Sequence, residues 1–175
     1  MNETDSNADT CCLGANFCVL QFTQRTADVY SYDSAYEPLE NVPIVTAATA
    51  WDHPDTGETW LLIMNEGLFY GSKLGHSLLN PNQLRHHGVI YQDNPFDSAP
   101  LSITIPGLLK VPLQSQGTKI RFSSRVPTIS ELEFIPESRR IELTNLAHWN
   151  PSTVHLASVE SHMKGDIGFI EPEVE

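Results

Sequence analysis

Two apolar segments separated by a short polar loop place the strongest constraint on the fold. Residues 42–51 (VPIVTAATAW) are dominated by Val, Ile, Thr and Ala, and residues 59–64 (TWLLIM) form an apolar run with the length of a buried strand. The loop between them carries Pro54 early and Gly57 late, which is typical of a hairpin connection. These segments therefore predict two strands joined by a hairpin.

Other short segments repeat this β-type pattern along the chain. Residues 17–20 and 28–32 are predicted strands, and the polar residues 21–26 between them are predicted to form a turn. Pro106-Gly107 is a strong hairpin signal between two further strands. The remaining predicted strands are residues 89–91, 101–105, 108–113, 118–122 and 141–144. The expected architecture is mainly β, with a small closed or sandwich-like sheet.

Two short helices are expected within this β framework. Asn80 can cap a helix that starts at Pro81, and Gly88 can end it, which predicts a helix over residues 81–87. Thr128 and Glu131 have the spacing of a capping box and predict one or two helical turns after them. Both helices would be too short to dominate the fold.

The order of these elements predicts three regions. Residues 1–92 are expected to form a closed β-sheet unit with one short helix, and residues 93–150 a smaller β-rich extension with one short helix. Residues 151–175 are expected to form a disordered acidic tail. A chain of 175 residues is long enough for one sizeable core and a small appended unit.

The charge balance and apolar runs exclude several classes of partner. The chain carries 10 Lys+Arg against 22 Asp+Glu, a net charge of -12, which argues against a nucleic-acid-binding surface because phosphate contacts need clustered cations. No apolar run has the length of a membrane span, and the first residues are polar and acidic rather than signal-like. We therefore expect a cytoplasmic protein without nucleic-acid or membrane partners.

The three cysteines do not predict a metal or cofactor site. Cys11 and Cys12 are adjacent and Cys18 follows at a distance that matches no zinc-binding pattern. Small thiols without a ligand role are the expected state. We accordingly predict no metal and no cofactor.

The stretch that begins at Asp5 is the main candidate for chemistry. A carboxylate is followed by the hydroxyl of Ser6, the turn residue Asn7 and the small Ala8, and then by an apolar run from Cys11. This order can hold an aspartate on a loop between packed strands. The same letters also fit an Asx-type turn near the end of a chain, which is common in proteins of any function.

This stretch resembles the active-site loop of a known protease family. Asp5, Ser6, Asn7, Ala8 and Asp9 are similar to the Asp-Ser/Thr-Gly-Ala-Asp loop of retropepsins, the single-lobed aspartic proteases. The stretch and its flanking segments resemble the protease region of copia-type retrotransposon polyproteins, and the resemblance would cover residues 5 to about 149. It implies a retropepsin-like closed β-sheet unit.

A second segment carries the resemblance further along the chain. Leu74 and Gly75, followed by Leu78 and Leu79, are similar to the later apolar-Gly segment that precedes a Leu-containing helix in that family. The resemblance implies that Leu74 and Gly75 cross behind the active loop. The hairpin over residues 32–45 would then take the place of the flap that covers the substrate, although it lacks a Gly-rich tip.

The chemistry implied by the resemblance is hydrolysis of a peptide bond by a water held between two carboxylates. Two carboxylates held so close together share one proton, so one acts as base and the other as acid. Asp5 supplies one carboxylate, and a homodimer with its site on the two-fold axis supplies the second. Ser6 would brace the loop, Ala8 would permit close packing, and Asp9 would bind the substrate backbone or order the loop.

Two departures from the family pattern bear on whether the chain is catalytically active. Asn7 stands where the family has Gly, and only residues 1–4 precede Asp5, where the family has an additional strand. The expected function is therefore an aspartic endopeptidase acting on a retroelement polyprotein, with activity retained, reduced or lost. The alternative is a non-catalytic β-rich remnant or protein-binding module of the same origin.

A second triplet matches the protease sequence more closely than Asp5-Ser6-Asn7 does, but it is not the expected site. Asp55-Thr56-Gly57 matches the protease triplet by letter, but it lies between Pro54 and Glu58 in the polar loop. A catalytic aspartate needs support from packed neighbours, whereas Asp and Gly in such a loop serve the backbone geometry of a turn. We therefore assign Asp55 to the hairpin turn.

Overall fold

The structure is a computed structural model that describes residues 1–31 and 35–156. Residues 32–34 of the predicted flap hairpin and residues 157–175 of the predicted acidic tail lie outside the described residues. The strands are β1 (Asn2–Thr4), β2 (Cys12–Gly14), β3 (Cys18–Val29), β4 (Leu39–Asp52), β5 (Thr59–Gly71), β6 (Ser77–Leu79), β7 (Ile90–Gln92), β8 (Ser102–Ile105), β9 (Leu109–Pro112), β10 (Gln114–Gln116), β11 (Lys119–Phe122) and β12 (Arg140–Glu142). The helices are α1 (Pro81–His86) and α2 (Ile129–Phe134), with a 3-10 turn at Glu137–Arg139.

The predicted mainly β class is confirmed, and the sheet is mixed. The larger sheet has the order β10-β11-β1-β6-β2-β5-β4-β3, and β12 pairs with β5 outside this path. Pairs β1–β6, β2–β5 and β12–β5 are parallel, and the others in this sheet are antiparallel. Because the described path ends at β10 and β3, the predicted closure of the sheet is not confirmed. A second sheet contains β7, β8 and β9.

The central hairpin is confirmed and is longer than predicted. Strands β4 and β5 pair over most of their length, and the turn between them is closed by the His53 N–H donating to the Glu58 carbonyl at 2.8 Å. The Gly57 N–H donates back to the His53 carbonyl at 2.9 Å, and Gly57 has φ 74°, a value that favours glycine. Asp55 is exposed in this turn, as its assignment to the turn requires.

The predicted turn at residues 21–26 is wrong, because these residues belong to one continuous strand. β3 pairs antiparallel with β4 along this stretch, with register shifts on either side of Phe22 and before Val29. Gln24 has φ 69° within the irregular part of the ladder. Polar residues are tolerated here because β3 is an edge strand with one side toward water. Its composition is therefore similar to that of a turn.

The larger of two hydrophobic clusters runs through both halves of the described chain. It joins Leu13, Leu62 and Met64 of the first half to Ile103 and Val111 of the second, all of which are fully buried. β1 pairs with β11, and β12 pairs with β5. The boundary near Asp93 stays a prediction, and the strands on its two sides share one sheet and one core.

Both predicted helices are confirmed, with their caps. The Asn80 side chain accepts from the N–H groups of Asn82 and Gln83 at the start of α1, and Gly88 has φ 89° just past its end. Thr128 and Glu131 form the reciprocal capping box of α2. Short-range capping chemistry was therefore sufficient to locate both helices.

A close backbone approach requires glycine at the end of β2. A Cβ atom on Gly14 would lie 2.2 Å from the Leu74 carbonyl oxygen, while a Cβ atom on Gly75 would have no neighbour within 4 Å. The same Leu74 oxygen accepts the Ala15 N–H at 2.9 Å, so the two segments cannot separate freely. The Leu74 segment therefore lies against the end of β2, and Gly14 is the glycine that permits this approach. The crossing of Leu74 and Gly75 behind the Asp5 loop stays a prediction.

We expect Gly14→Ala to lower the free energy of unfolding by about 2 kcal/mol or more, because the new methyl group meets backbone rather than a movable side chain. Urea denaturation of the two proteins measures the change. Gly75→Ala is the matched control and should stay within about 0.5 kcal/mol of the parent. Equal effects of the two substitutions would contradict the assigned role of Gly14.

Arg125 ties the end of β4 to the start of α2. Its guanidinium contacts Asp52 at 2.9 Å and Glu131 at 2.7 Å. The pKa of Glu131 is lowered to about 2, mainly by the hydrogen bonds from Arg125. The same residue also lowers the pKa of Asp52. Glu131 additionally accepts from the Thr128 N–H at 2.8 Å as part of the capping box.

We expect Glu131→Gln to lower the free energy of unfolding at neutral pH by about 0.5–1 kcal/mol, since the charge is lost while the amide oxygen can still cap. The folded-state pKa lies below the ordinary value of 4.5, so the stabilisation is present above that value. It is lost as the pH falls toward about 2. Denaturation at several pH values should show the two proteins converging in acid; Glu133→Gln on the same helix is the control.

Candidate functional site

Asp5 follows the last residue of β1, and the neighbouring strand β6 positions it. Asn2, Glu3 and Thr4 pair in parallel with Ser77, Leu78 and Leu79 of β6, respectively. The ladder continues with the Asp5 N–H donating to the Leu79 carbonyl at 3.0 Å. The two segments that carry the family resemblance therefore lie side by side, although they are far apart in sequence.

The loop after Asp5 is an Asx-type turn. The Asp5 Oδ1 atom accepts from the N–H groups of Asn7 at 3.0 Å and Ala8 at 3.3 Å. Ser6, Asn7 and Asp9 are exposed, and Ala8 is half-buried. Asn7 is absent from the non-glycine residues with positive φ in the described chain, so this turn does not need glycine for its backbone conformation.

The helix cap supports this loop from the inside of the molecule. The Asn80 side-chain amide, whose oxygen caps α1, donates to the Ala8 carbonyl. The Asn80 N–H lies 3.3 Å from the Cys11 sulfur, and the Cys11 N–H donates to the Gln83 side-chain oxygen at 2.8 Å. The start of α1 therefore sets the position of residues 8–11.

Gln83 extends this support to β5. Its Nε2 group donates to the Glu66 carbonyl at 3.0 Å, and its side chain is almost completely buried. Glu66 has φ 56°, and its carboxylate forms an ion pair with Arg25 of β3. The Glu66 Oε1 atom also accepts from the Trp149 N–H at 3.0 Å. The sequence analysis missed these residues, because no local pattern brings β3, β5 and residue 149 together.

Two neighbouring cavities open beside the loop. The first has a volume of about 450 Å³ and the second about 320 Å³. The loop and the β3–β4 hairpin both contribute to the first cavity. Its lining residues are Asn7, Ala8, Asp9, Thr10, Cys12, Ala27, Asp28, Val29, Tyr30, Ile44, Glu66, Leu68, Trp149, Pro151 and Ser152. Those of the second are Ser6, Asn7, Ala8, Asp9, Asn80, Asn82, Trp149, Pro151, Val154 and Leu156.

The cavities combine apolar walls with polar groups at the loop. Asn7, Ala8 and Asp9 line both cavities, and Ser6 lines the second. Asp5 is not among the lining residues of either cavity, and it lies directly before those that are. The two cavities share Asn7, Ala8, Asp9, Trp149 and Pro151, and together they are called the groove.

Burial disfavours the thiolate form of all three cysteines. Burial is the main cause that raises the pKa of Cys12 to about 11 and that of Cys11 to about 12, so both are protonated at neutral pH. Burial also raises the pKa of Cys18. Cys11 is buried, and Cys12 and Cys18 are partly exposed. Residues 1–31 and 35–156 contain no group of three or more His, Cys, Asp or Glu residues that could hold a metal ion.

The other predicted site residues, Leu74, Gly75, Leu78 and Leu79, differ in their burial and packing. Leu79 is buried and Leu78 is half-buried in β6, and Leu74 is half-buried with its carbonyl at Gly14. Gly75 is exposed, and a Cβ atom added to it would have no neighbour within 4 Å. His86 at the end of α1 packs its ring against Trp149, with 5.6 Å between ring centroids.

No protein-family profile, curated protein or solved structure matches this chain. Within the described part of the chain, none of the helices is long and apolar enough to cross a membrane.

We expect Gln83→Leu to lower the free energy of unfolding by about 3 kcal/mol, because the buried Cys11 N–H and Glu66 carbonyl both lose a partner. Denaturation with urea measures the loss, and Asn82→Ala on the exposed side of the same helix is the control. A Gln83→Leu protein as stable as the parent would show that α1 does not hold the loop through Gln83.

Proposed function

We propose that this chain is a retropepsin-like aspartic endopeptidase unit that hydrolyses peptide bonds in a retroelement polyprotein as a homodimer. The observation that carries the proposal is the placement of Asp5. Its carboxylate accepts two backbone N–H groups, and the four residues after it line the cavities. The two N–H groups fix the orientation of the Asp5 carboxylate.

The chemistry needs a second carboxylate beside Asp5, and a second copy of the chain supplies it. Two aspartates on a two-fold axis share one proton, so that one activates the water and the other protonates the peptide. Asp5 is only half-buried in the single chain, which leaves it open to such a partner. In this arrangement Ser6 braces the loop between the two copies.

The substrate in this proposal is an extended polypeptide in the cytoplasm. Apolar side chains of the β3–β4 hairpin, including Val29 and Ile44, face the first cavity and would contact peptide side chains. Backbone groups of the loop after Asp5 would form hydrogen bonds with the peptide backbone. The net charge of -12 supports a polypeptide rather than a nucleic acid as the ligand.

The second candidate is a non-catalytic protein-binding module of the same origin. The exposed Asn7 favours it, because this side chain lines both cavities at the position where the family has glycine. In that case the groove would still bind a peptide, and the water between two carboxylates would be displaced or misplaced. Hydrolysis and binding measured on the same peptides distinguish the two candidates.

We expect Asp5→Asn to reduce hydrolysis of a peptide library at mildly acidic pH by about a thousandfold, because an amide cannot act as base or acid. The amide oxygen can still accept the two N–H groups of the turn, so the fold should persist. Asp55→Asn, in the Asp-Thr-Gly triplet of the hairpin turn, is the matched control and should retain full activity. Equal rates for the parent and Asp5→Asn would remove the catalytic role, and peptide binding without hydrolysis in the parent would favour the module.

The dimer makes a separate prediction about mixed proteins. When the parent is mixed with an equal amount of Asp5→Asn, random exchange should reduce the activity of the parent to about one half, because mixed dimers lack one carboxylate. Independent monomers would show no change. Sedimentation across a broad concentration range gives the mass directly, and a monomer at every concentration that supports hydrolysis would contradict the shared site.

A further inference from the structure

The segment after the last strand lies against the candidate site. Trp149 donates its backbone N–H to the Glu66 carboxylate at 3.0 Å and its indole Nε1–H to the Asp9 carbonyl at 3.0 Å. The indole also packs at an angle against the His86 ring. These contacts attach one residue to β5, to the loop after Asp5 and to α1 at the same time.

The residues after Trp149 continue along the groove. Pro151 and Ser152 line the first cavity, and Pro151, Val154 and Leu156 line the second. The segment is folded on itself, with the Val154 N–H donating to the Asn150 carbonyl at 2.8 Å. Both cavities are therefore bounded by this segment as well as by the residues that follow Asp5.

We propose that residues 149–156 form an intramolecular strap that restricts the peptide groove, and that a peptide must displace the strap to bind beside Asp5. This regulation rests on the proposed peptide-binding function. The strap donates N–H groups to Glu66 and to the Asp9 carbonyl, as a bound peptide could. Strap and peptide therefore compete for the same acceptors.

The strap has the attachment expected of a segment that opens locally. Thr144, just before it, is fully buried, and its hydroxyl both accepts the Asn65 N–H and donates to the Asn65 carbonyl, each at 2.7 Å. Residues 145–148 are exposed, and Trp149 is only half-buried. The chain is thus anchored in the core up to Thr144, and the contacts of Trp149 are among those that must break for the strap to leave.

The strap can be tested without a substrate through the thiol of Cys12, which lines the first cavity. In the full-length chain, Trp149→Ala should make Cys12 react about tenfold faster with N-ethylmaleimide, because an indole hydrogen bond and a ring contact no longer hold the strap. Peptide mass spectrometry assigns the labelled residue. Leu146→Ala in the exposed linker is the matched control and should leave the rate unchanged.

The two other cysteines separate strap opening from general unfolding. Cys18 in β3 and the buried Cys11 should keep their parent rates if only the strap moves. An unchanged Cys12 rate, or an equal rise at all three cysteines, would overturn the proposal. Peptide hydrolysis by the same variant then tests the proposed function separately. Faster hydrolysis would show that the strap restrains an active site, while faster Cys12 labelling with no hydrolysis would retain the strap and reject the enzyme.

Discussion

A buried polar network that joins β1 to β6 is the interaction on which the placement of Asp5 depends. The Asn16 amide donates to Asn2 Oδ1 at 2.8 Å and to Ser124 Oγ at 3.1 Å, and its oxygen accepts from Ser77 Oγ at 2.6 Å. Ser77 Oγ in turn accepts the Gly14 N–H at 2.8 Å. Each group has a partner, and loss of one would leave the others unpaired in a dry environment. The network therefore holds β1 against β6, and Asp5 follows β1.

The site is assembled from elements that this arrangement brings together. β1 and β6 place Asp5, and the Asn80 cap of α1 holds the loop that follows. Gln83 connects the same loop to β5, where Glu66 receives Trp149 from the far end of the described chain. The Asp5 carboxylate, the two cavities and residues 149–156 are consequently parts of one connected structure. The proposed proteolytic site and the proposed strap use all three.

Features set by neighbours in sequence could be predicted with few errors. The hairpin around Gly57, the Asn80 cap and the Thr128–Glu131 capping box each depend on a handful of adjacent residues whose side chains bond their own backbone. The β3 stretch was predicted wrongly because the same polar letters serve an edge strand and a turn. Only pairing with β4 distinguishes the two, and that pairing joins residues distant in sequence.

The sequence by itself determined the mainly β class and the two helices, because alternation, caps and turn residues act over short distances. Only the tertiary structure decided that Gly14, rather than Gly75, lies where a backbone segment approaches too closely for a Cβ atom, since a close backbone approach has no sequence pattern. It also decided that Glu66 and Trp149 meet beside Asp9. Contacts of this kind depend on where a folded chain returns, and the physical reason is that packing and hydrogen bonding act through space while sequence patterns report only neighbours.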